Sequence, residues 1–471
     1  MSLPAGWGLV PADDLRKRDA GRVLIGGSPL RVLRLSAGGA RLTRAWFGGQ
    51  PVSPNPQHQE LARRLLDAGM AWPRPSAADD AVALGDVTVV IPVRDDPDGL
   101  AITLAGLAGV TVIVVDDGSR RPVTASTASH RGAVAEIVRR PDSGGPGPAR
   151  NTGLDLVTTD IVAFVDAGVS VTAADLRALR RQLDDSTVVA IAPRVACSPG
   201  TDLLSRYERT RSPLDLGLDP AVVGPGRAVS YVPTACLMVR TEPLLRRGGF
   251  DPGLRFGEDV DLVWDLAGDQ RVRFDPSVIV THPARSTLGA FVRQRIGYGS
   301  AAASLHRRHP GAVAPVQASL WSYVVGLLCF AGHPLASLVV GTGTAMALAP
   351  RLGPLPDARV EAAILTGRGH HRTFRSLARS ALRAWWPFTA LLLVASPTRR
   401  SGIALVLVGW LQRLADRPKD PLIDLTVGLI DDLSYGTGVW RGALAERTIG
   451  PLVPKVTEWL VRRNPSGLRE R

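Results

Sequence analysis

Four runs of β-branched residues constrain this chain more than any other feature. Val87-Thr-Val-Val-Ile91, Thr111-Val-Ile-Val-Val115, Ile161-Val-Ala-Phe-Val165 and Thr187-Val-Val-Ala-Ile191 carry no charge and almost no polar residue. A strand with one solvated face alternates polar and apolar residues, so unbroken runs mark strands buried on both faces. Polar, helix-capable segments separate the runs. Strands alternating with helices build a parallel sheet covered on both sides, an α/β architecture. Ligands of such sheets sit beyond the carboxyl ends of the strands, and those ends are where the chemistry is sought.

The runs lie in the middle of three regions of different texture. Residues 1–80 are short and mixed. Arg22 to Leu35 reads as two short strands turning at Gly26-Gly27-Ser28-Pro29, and His58 to Gly69 as a helix stopped by Gly69. Pro73, Pro75 and Ser76 read as a linker. Residues 85–309 carry the strand runs, and residues 310–471 are apolar and helical. Between Pro310 and Pro350 there is no Asp, Glu, Lys or Arg. At about 20 residues per membrane span, that stretch predicts two helices joined near Gly332-His333-Pro334. Ala384 to Thr398 and Ser401 to Gln412, parted by Arg399-Arg400, are each short for a span. They leave an interfacial or re-entrant pair beside one interrupted span. Buried helices of a soluble unit fit the same composition, but an uncharged stretch this long favours membrane association.

The formal net charge is +13, from 56 Lys and Arg against 43 Asp and Glu, and only Lys17, Lys419 and Lys455 are lysines. Arginine suits bidentate contacts to phosphate and carboxylate, although GC-rich coding produces the same bias. Anionic partners are therefore expected without a choice among them. The basic residues are spread over all three regions rather than gathered with aromatics, which argues against a nucleic-acid-binding regulator. Cys197, Cys236 and Cys329 are too scattered for a zinc site or a disulfide framework and point to a reducing compartment. The first residues carry no apolar run behind a basic segment, so no secretory signal is expected.

The strand ends hold the chemistry-bearing residues. The first closes in Pro92-Val93-Arg94 and the second in Asp116-Asp117-Gly118-Ser119. Carboxylates there can accept hydrogen bonds from a base or ribose, although an ordinary Asp-Gly turn fits the second equally. Ser143-Gly-Gly-Pro-Gly-Pro-Ala-Arg150-Asn151-Thr-Gly153 is a Gly/Pro loop opening into a helix, whose free N–H groups and dipole favour phosphate. A flexible surface loop remains the alternative. Asp166, at the end of Ile161-Val-Ala-Phe-Val165, is placed to hold Mg²⁺ or Mn²⁺ between two phosphates, or merely to cap a turn. Glu258, Asp259 and Asp261 crowd a helix start, where they either cap it or push one another's pKa up toward a general base.

Taken in order, Ile91-Pro92, Val115-Asp-Asp-Gly-Ser119, Ala149-Arg-Asn-Thr-Gly153, Phe164-Val-Asp166 and Gly248-Gly-Phe…Gly257-Glu-Asp-Val-Asp-Leu262 resemble the family-2 glycosyltransferases of GT-A (Rossmann-like) fold, over residues 85–300. The resemblance implies an inverting transfer from a nucleotide-sugar. Asp116, Asp117, Arg150 and Asn151, with Pro92, Val93 and Arg94, would hold the donor. Asp166 would be the first acid of a metal-binding Asp-x-Asp motif, Asp259 the base that deprotonates the acceptor hydroxyl, and Glu258 its support. Two departures matter. Gly168 replaces the second acid, which leaves Asp166, the diphosphate, water and a candidate His282 for the metal. The Gln-x-x-Arg-Trp element of processive members is reduced to Gln294-Arg-Ile-Gly297-Tyr298, which leaves Arg293 or Arg295 for the diphosphate and speaks against polymerisation.

With a small winged-helix-like N-terminal module and the apolar tail included, the layout is similar to transferases that act in the making of a peptide-derived redox cofactor. That narrower resemblance implies glucose from UDP-glucose and a peptide-derived small-molecule acceptor; the apolar tail adds the expectation of a place on the cytoplasmic face of the cell membrane, in contact with lipid. A membrane-bound lipid or polysaccharide glycosyltransferase is the alternative.

Overall fold

Glycine, proline and charged residues interrupt the apolar runs of the N-terminal region, so its strands are short. The computed structural model describes residues 2–76, 83–124, 134–353, 355, 357–415 and 420–457. Strands β1 (Gly8–Pro11), β2 (Arg16–Arg18), β3 (Val23–Gly26), β4 (Arg31–Arg34) and β5 (Ala71–Arg74) form two small antiparallel sheets, β2-β3-β4 and β1-β5. The β3–β4 turn falls at Gly27, whose positive φ brings the chain against the carbonyl of Ala68. Helix Pro56–Asp67 starts where Asn55 accepts the N–H of Gln57. A second helix, Ala37–Phe47, is capped by Ser36. Trp7, Leu9, Trp46, Leu65 and Met70 bury their side chains between these elements.

The four Val/Ile runs all enter one eight-stranded sheet. Its strands are β6 (Val87–Val93), β7 (Thr111–Asp116), β8 (Val134–Arg139), β9 (Ile161–Val165), β10 (Val188–Cys197), β11 (Ala221–Val223), β12 (Cys236–Arg240) and β13 (Arg271–His282), in the order β11-β13-β10-β12-β9-β6-β7-β8. The run β8-β7-β6-β9 is parallel, as is the β10–β13 pair. β12 runs antiparallel between β9 and β10. Successive residues point to opposite faces. Val89 and Ile91 accordingly join one buried cluster while Val90 joins the other. This mixed, two-faced sheet is the α/β GT-A architecture.

The N-terminal module is tied to the rest by ion pairs. Arg63 meets the fully buried Asp185 at 2.8 Å, and Arg16 and Arg18 meet Glu361 at 2.6 and 2.7 Å. Burial opposes the charge of Asp185, but hydrogen bonding from Arg63 and the charge of Arg273 hold its pKa far below the usual carboxylate range.

The apolar tail differs from the expected pair of spans. β14 (Gln317–Ser319) pairs in parallel with β15 (Lys455–Thr457), so the first helix begins only at Leu320 and ends at Phe330. At 11 residues and about 1.5 Å per residue, that helix covers roughly half a hydrocarbon core of about 30 Å. The joint does lie at Gly332-His333-Pro334, and Pro334 starts the next helix. Among the described residues, only Pro334–Leu352 is long and apolar enough to cross a membrane. Helices Ala358–Leu382, Trp386–Val394, Arg399–Ala415 and Pro421–Ala445 complete the tail. The last of these packs backbone to backbone on helix Leu288–Arg308, with Gly299, Gly438 and Gly442 at the crossing.

Candidate active site

Parallel pairing of β6, β7 and β9 carries Val93, Asp116 and Asp166 to one edge of the sheet. Gly257, at φ +78°, then turns the chain so that helix Glu258–Asp269 starts beside them. The result is a cavity of about 1710 Å³. Pro92, Val93, Arg94, Asp117, Arg150, Asp166, Glu258, Asp259, His282 and Arg295 all line it. So do three helices of the tail, through residues such as Arg379, Arg413 and Tyr435.

Arg150 organises the acidic wall. Its guanidinium is only 3% exposed and reaches Asp166 at 2.7 Å and Glu258 at 2.9 Å. Burial disfavours its charge, but Asp166, Glu258 and Asp259 more than offset that and keep it protonated. Asp259 makes one local hydrogen bond, from the Val260 N–H at 2.8 Å to Oδ1. Its carboxyl is pushed up to about 7, first by desolvation and then by the charge of Glu258, with Arg150 pulling the other way. A carboxylate poised near neutral pH, whose other oxygen has no hydrogen-bond partner among the described residues, is suited to accept a proton. Tyr298 is pushed up to about 12, by burial and then by Asp259. Asp261 faces elsewhere: Arg247 at 2.6 Å and His309 at 2.8 Å hold it, so only Glu258 and Asp259 of the acidic trio serve the cavity.

Other sequence-selected residues do structural work. Asp116 is fully buried and does not line the cavity. Its oxygens accept from the Ser119 N–H (2.8 Å), the Val123 N–H (3.1 Å) and Arg139 (2.8 Å). Burial works against its charge, and these hydrogen bonds win and lower its pKa. Asp117 accepts the N–H groups of Gly144 and Gly145 and the Ser143 hydroxyl. The Gly/Pro loop is therefore fastened to a carboxylate, and Pro146 and Pro148 remove two more donors from the helix start. This helix start is a poorer anion site than its glycine content implies. Arg94 donates to the Ser143 hydroxyl at 2.8 Å. Asn151 exchanges two hydrogen bonds with the Phe250 backbone and stays out of the cavity. Arg295, 1% exposed, is held by Glu208 (2.6 Å) and Asp431 (3.3 Å), so it is not a free ligand for a diphosphate.

The donor set fits a shared rather than a protein-enclosed metal. Among the described residues no three His, Cys, Asp or Glu side chains gather to hold an ion. Mg²⁺ characteristically takes one or two carboxylates and completes its shell with phosphates and water. Asp166, 31% exposed with Oδ1 on Arg150, supplies such a carboxylate. His282 Nδ1 lies 2.8 Å from the Pro283 carbonyl oxygen. A carbonyl only accepts, so Nδ1 is the donor in this contact and a metal would be met by Nε2, as in histidines that ligate metals.

The bridge makes a prediction. Arg150→Gln strands two carboxylates and is expected to cost about 3 kcal/mol in chemical denaturation, the low end for a broken buried pair because Asp166 is partly exposed. It also removes the cation that holds Asp259 down, so the acidic limb of a pH–rate profile is expected to move to higher pH.

The sequence reading missed the basic side of the cavity. Arg368, Arg372, Arg375, Arg379 and Arg383 line it from helix Ala358–Leu382 and its end. Their spacing was the available signal, since steps of four, three, four and four place them on one helical face.

Residues 88–244 match the model of glycosyl transferase family 2. A pre-mycofactocin glycosyltransferase of Mycobacterium tuberculosis (strain ATCC 25618 / H37Rv) is 36% identical over 469 residues, covering 96% of this chain and 98% of that one. The succinoglycan biosynthesis protein ExoW of Rhizobium meliloti (strain 1021) is 39% identical over 95 residues, 18% of this chain and 30% of that one. Among solved structures, a mannosyltransferase from Pyrobaculum calidifontis in complex with GDP-Man and Mn²⁺ is similar at 18% identity and a TM-score of 0.38, covering 80% of this chain and 98% of that one.

Proposed function

This chain belongs to the family-2 glycosyltransferases, and we propose that within the family it moves glucose from UDP-glucose to a hydroxyl of pre-mycofactocin or a closely related peptide-derived acceptor. The acceptor and cofactor pathway are supported by a 36% identity in an alignment that covers 96% of this chain. The observation that carries the chemistry is the chain Asp166–Arg150–Glu258 beside Asp259, a partly exposed carboxylate and a carboxyl poised near neutral pH, which supports a metal ligand and a base in one cavity. Asp259 takes the proton of the acceptor hydroxyl, whose oxygen attacks the anomeric carbon. The sugar–phosphate bond breaks with inversion and UDP leaves. Arg150 fixes Asp166 and Glu258, and Asp117 holds the loop beside the donor. Mg²⁺ or Mn²⁺, held by Asp166 and His282, would offset the charge of the departing diphosphate.

The tail supports a place on a membrane. Leu335, Leu338, Val339, Leu391, Val394 and Leu411 expose apolar side chains on its helices. That among the described residues only Pro334–Leu352 is long and apolar enough to cross supports an interfacial seat rather than several spans.

The test incubates the full-length enzyme with several UDP- and GDP-sugars and pre-mycofactocin, read by mass spectrometry. A hexose increment from UDP-glucose alone is expected; transfer only to a lipid, or extension to long polymers, would replace this reading with that of a lipid or polysaccharide transferase. Asp166→Asn is expected to remove metal-stimulated turnover, and full activity of the wild type in EDTA would defeat the metal assignment.

A further inference from the structure

Twelve arginines and eight carboxylates line the cavity, and the imbalance is concentrated on one helix. In Ala358–Leu382, the residues Ala362, Leu365, Leu377 and Ala378 are buried, and the arginines occupy another face. At the Arg383 end this face is neutralised. Arg383 meets Asp431 at 3.2 Å and Asp432 at 2.9 Å, and lies 3.7 Å over the Tyr435 ring. Farther along, the carboxylates stop. Arg368, Arg372 and Arg379 are exposed to the cavity, and no carboxylate among the described residues pairs with them. Desolvation and the like charge of Arg383 lower the pKa of Arg379, and Asp432 and Asp431 oppose them only in part.

We propose that the Arg368–Arg372–Arg379 face is a phosphate-binding subsite separate from that of the donor diphosphate. The guanidinium fork matches phosphate oxygens bidentately, and a row of forks about 16 Å long, at about 1.5 Å per residue, holds such a group without using the acidic wall. The phosphate belongs to a lipid headgroup or to a soluble phosphorylated molecule. A headgroup has a route to the row, because the same helix packs on Leu320–Phe330 and Pro334–Leu348, which expose Trp321, Leu327, Leu335 and Leu338.

The experiment saturates the full-length enzyme with UDP and titrates two probes by calorimetry, dihexanoyl phosphatidic acid and inorganic phosphate. At least one is expected to bind the UDP-loaded enzyme. Arg372→Gln with Arg379→Gln is expected to weaken that binding at least about tenfold while UDP affinity changes less than about twofold. Tighter binding of the lipid assigns the site to a headgroup, and equal binding assigns it to a free phosphate. If neither probe binds, if UDP competes with both, or if the double variant binds as the wild type does, the proposal is overturned. Arg368→Gln, at the exposed end, repeats the test should the double variant melt early. A failure of UDP itself to bind would count against the donor reading, and the titrations without UDP then decide the subsite alone.

Discussion

Asp259→Asn is expected to lower transfer by about 10²–10⁴-fold, the usual contribution of a positioned general base, while nucleotide-sugar binding stays close to that of the wild type. The pH dependence follows from the same carboxyl. It accepts a proton only when ionised, and its pKa in the fold is about 7, raised first by burial and then by Glu258. Wild-type turnover should therefore fall as pH drops through about 7. Stability moves the opposite way. The pKa lies above the ordinary value of 3.8, so between those two values the native chain retains a proton that the unfolded chain has lost. Wild-type stability thus declines as pH rises through that window. Asparagine has no proton to lose, so the variant's Tm should exceed that of the wild type by more at about pH 8 than at about pH 4. An inactive variant that is more stable at alkaline pH separates a base from a structural carboxylate. Equal loss of donor binding and transfer would remove Asp259 from the role.

What the sequence disclosed and what it hid divide along local and long-range lines. The Val/Ile runs became strands because double burial leaves its mark residue by residue, and Gly27 and Gly69 mark chain reversals for the same reason. The acids at the ends of different strands share a cavity because parallel pairing takes strand ends to one edge, a rule that needs no partner information. Helix Ala37–Phe47 was hidden by Gly38 and Gly39, whose poor helix propensity is overridden by the burial of Ala40 and Trp46. β14 was hidden because its partner lies at Lys455–Thr457, far along the chain. The occupation of Asp116 by Arg139, and of Arg295 by Glu208 and Asp431, was equally illegible. Charge pairing is settled by tertiary neighbours, and an isolated motif does not name them.

Gly438→Ala is expected to reduce transfer by about 10²-fold, although this residue lies far in sequence from the acidic wall. A Cβ there would press on the carbonyl oxygen of Ile296, inside van der Waals contact, and backbone on both sides leaves no flexible side chain to yield. Gly299 and Gly442 face the same limit from Tyr435 and Ser300. Overpacking of this kind costs about 1–3 kcal/mol, seen as a lower Tm. The loss of turnover has a separate cause. Helix Pro421–Ala445 supplies Asp431 to Arg295 and Arg383, and Asp432 to Arg383 and Arg413, so moving it displaces residues on two walls of the cavity at once. Gly367→Ala provides the contrast. It lies in a helix interior with nothing within 4 Å of a new Cβ, and is expected to be neutral or to gain up to about 1 kcal/mol. If Gly438→Ala kept wild-type turnover with a lowered Tm, the tail would be a stabilising cover and not a wall of the catalytic cavity. If both fall together while UDP affinity holds, the helix acts on a step after donor binding.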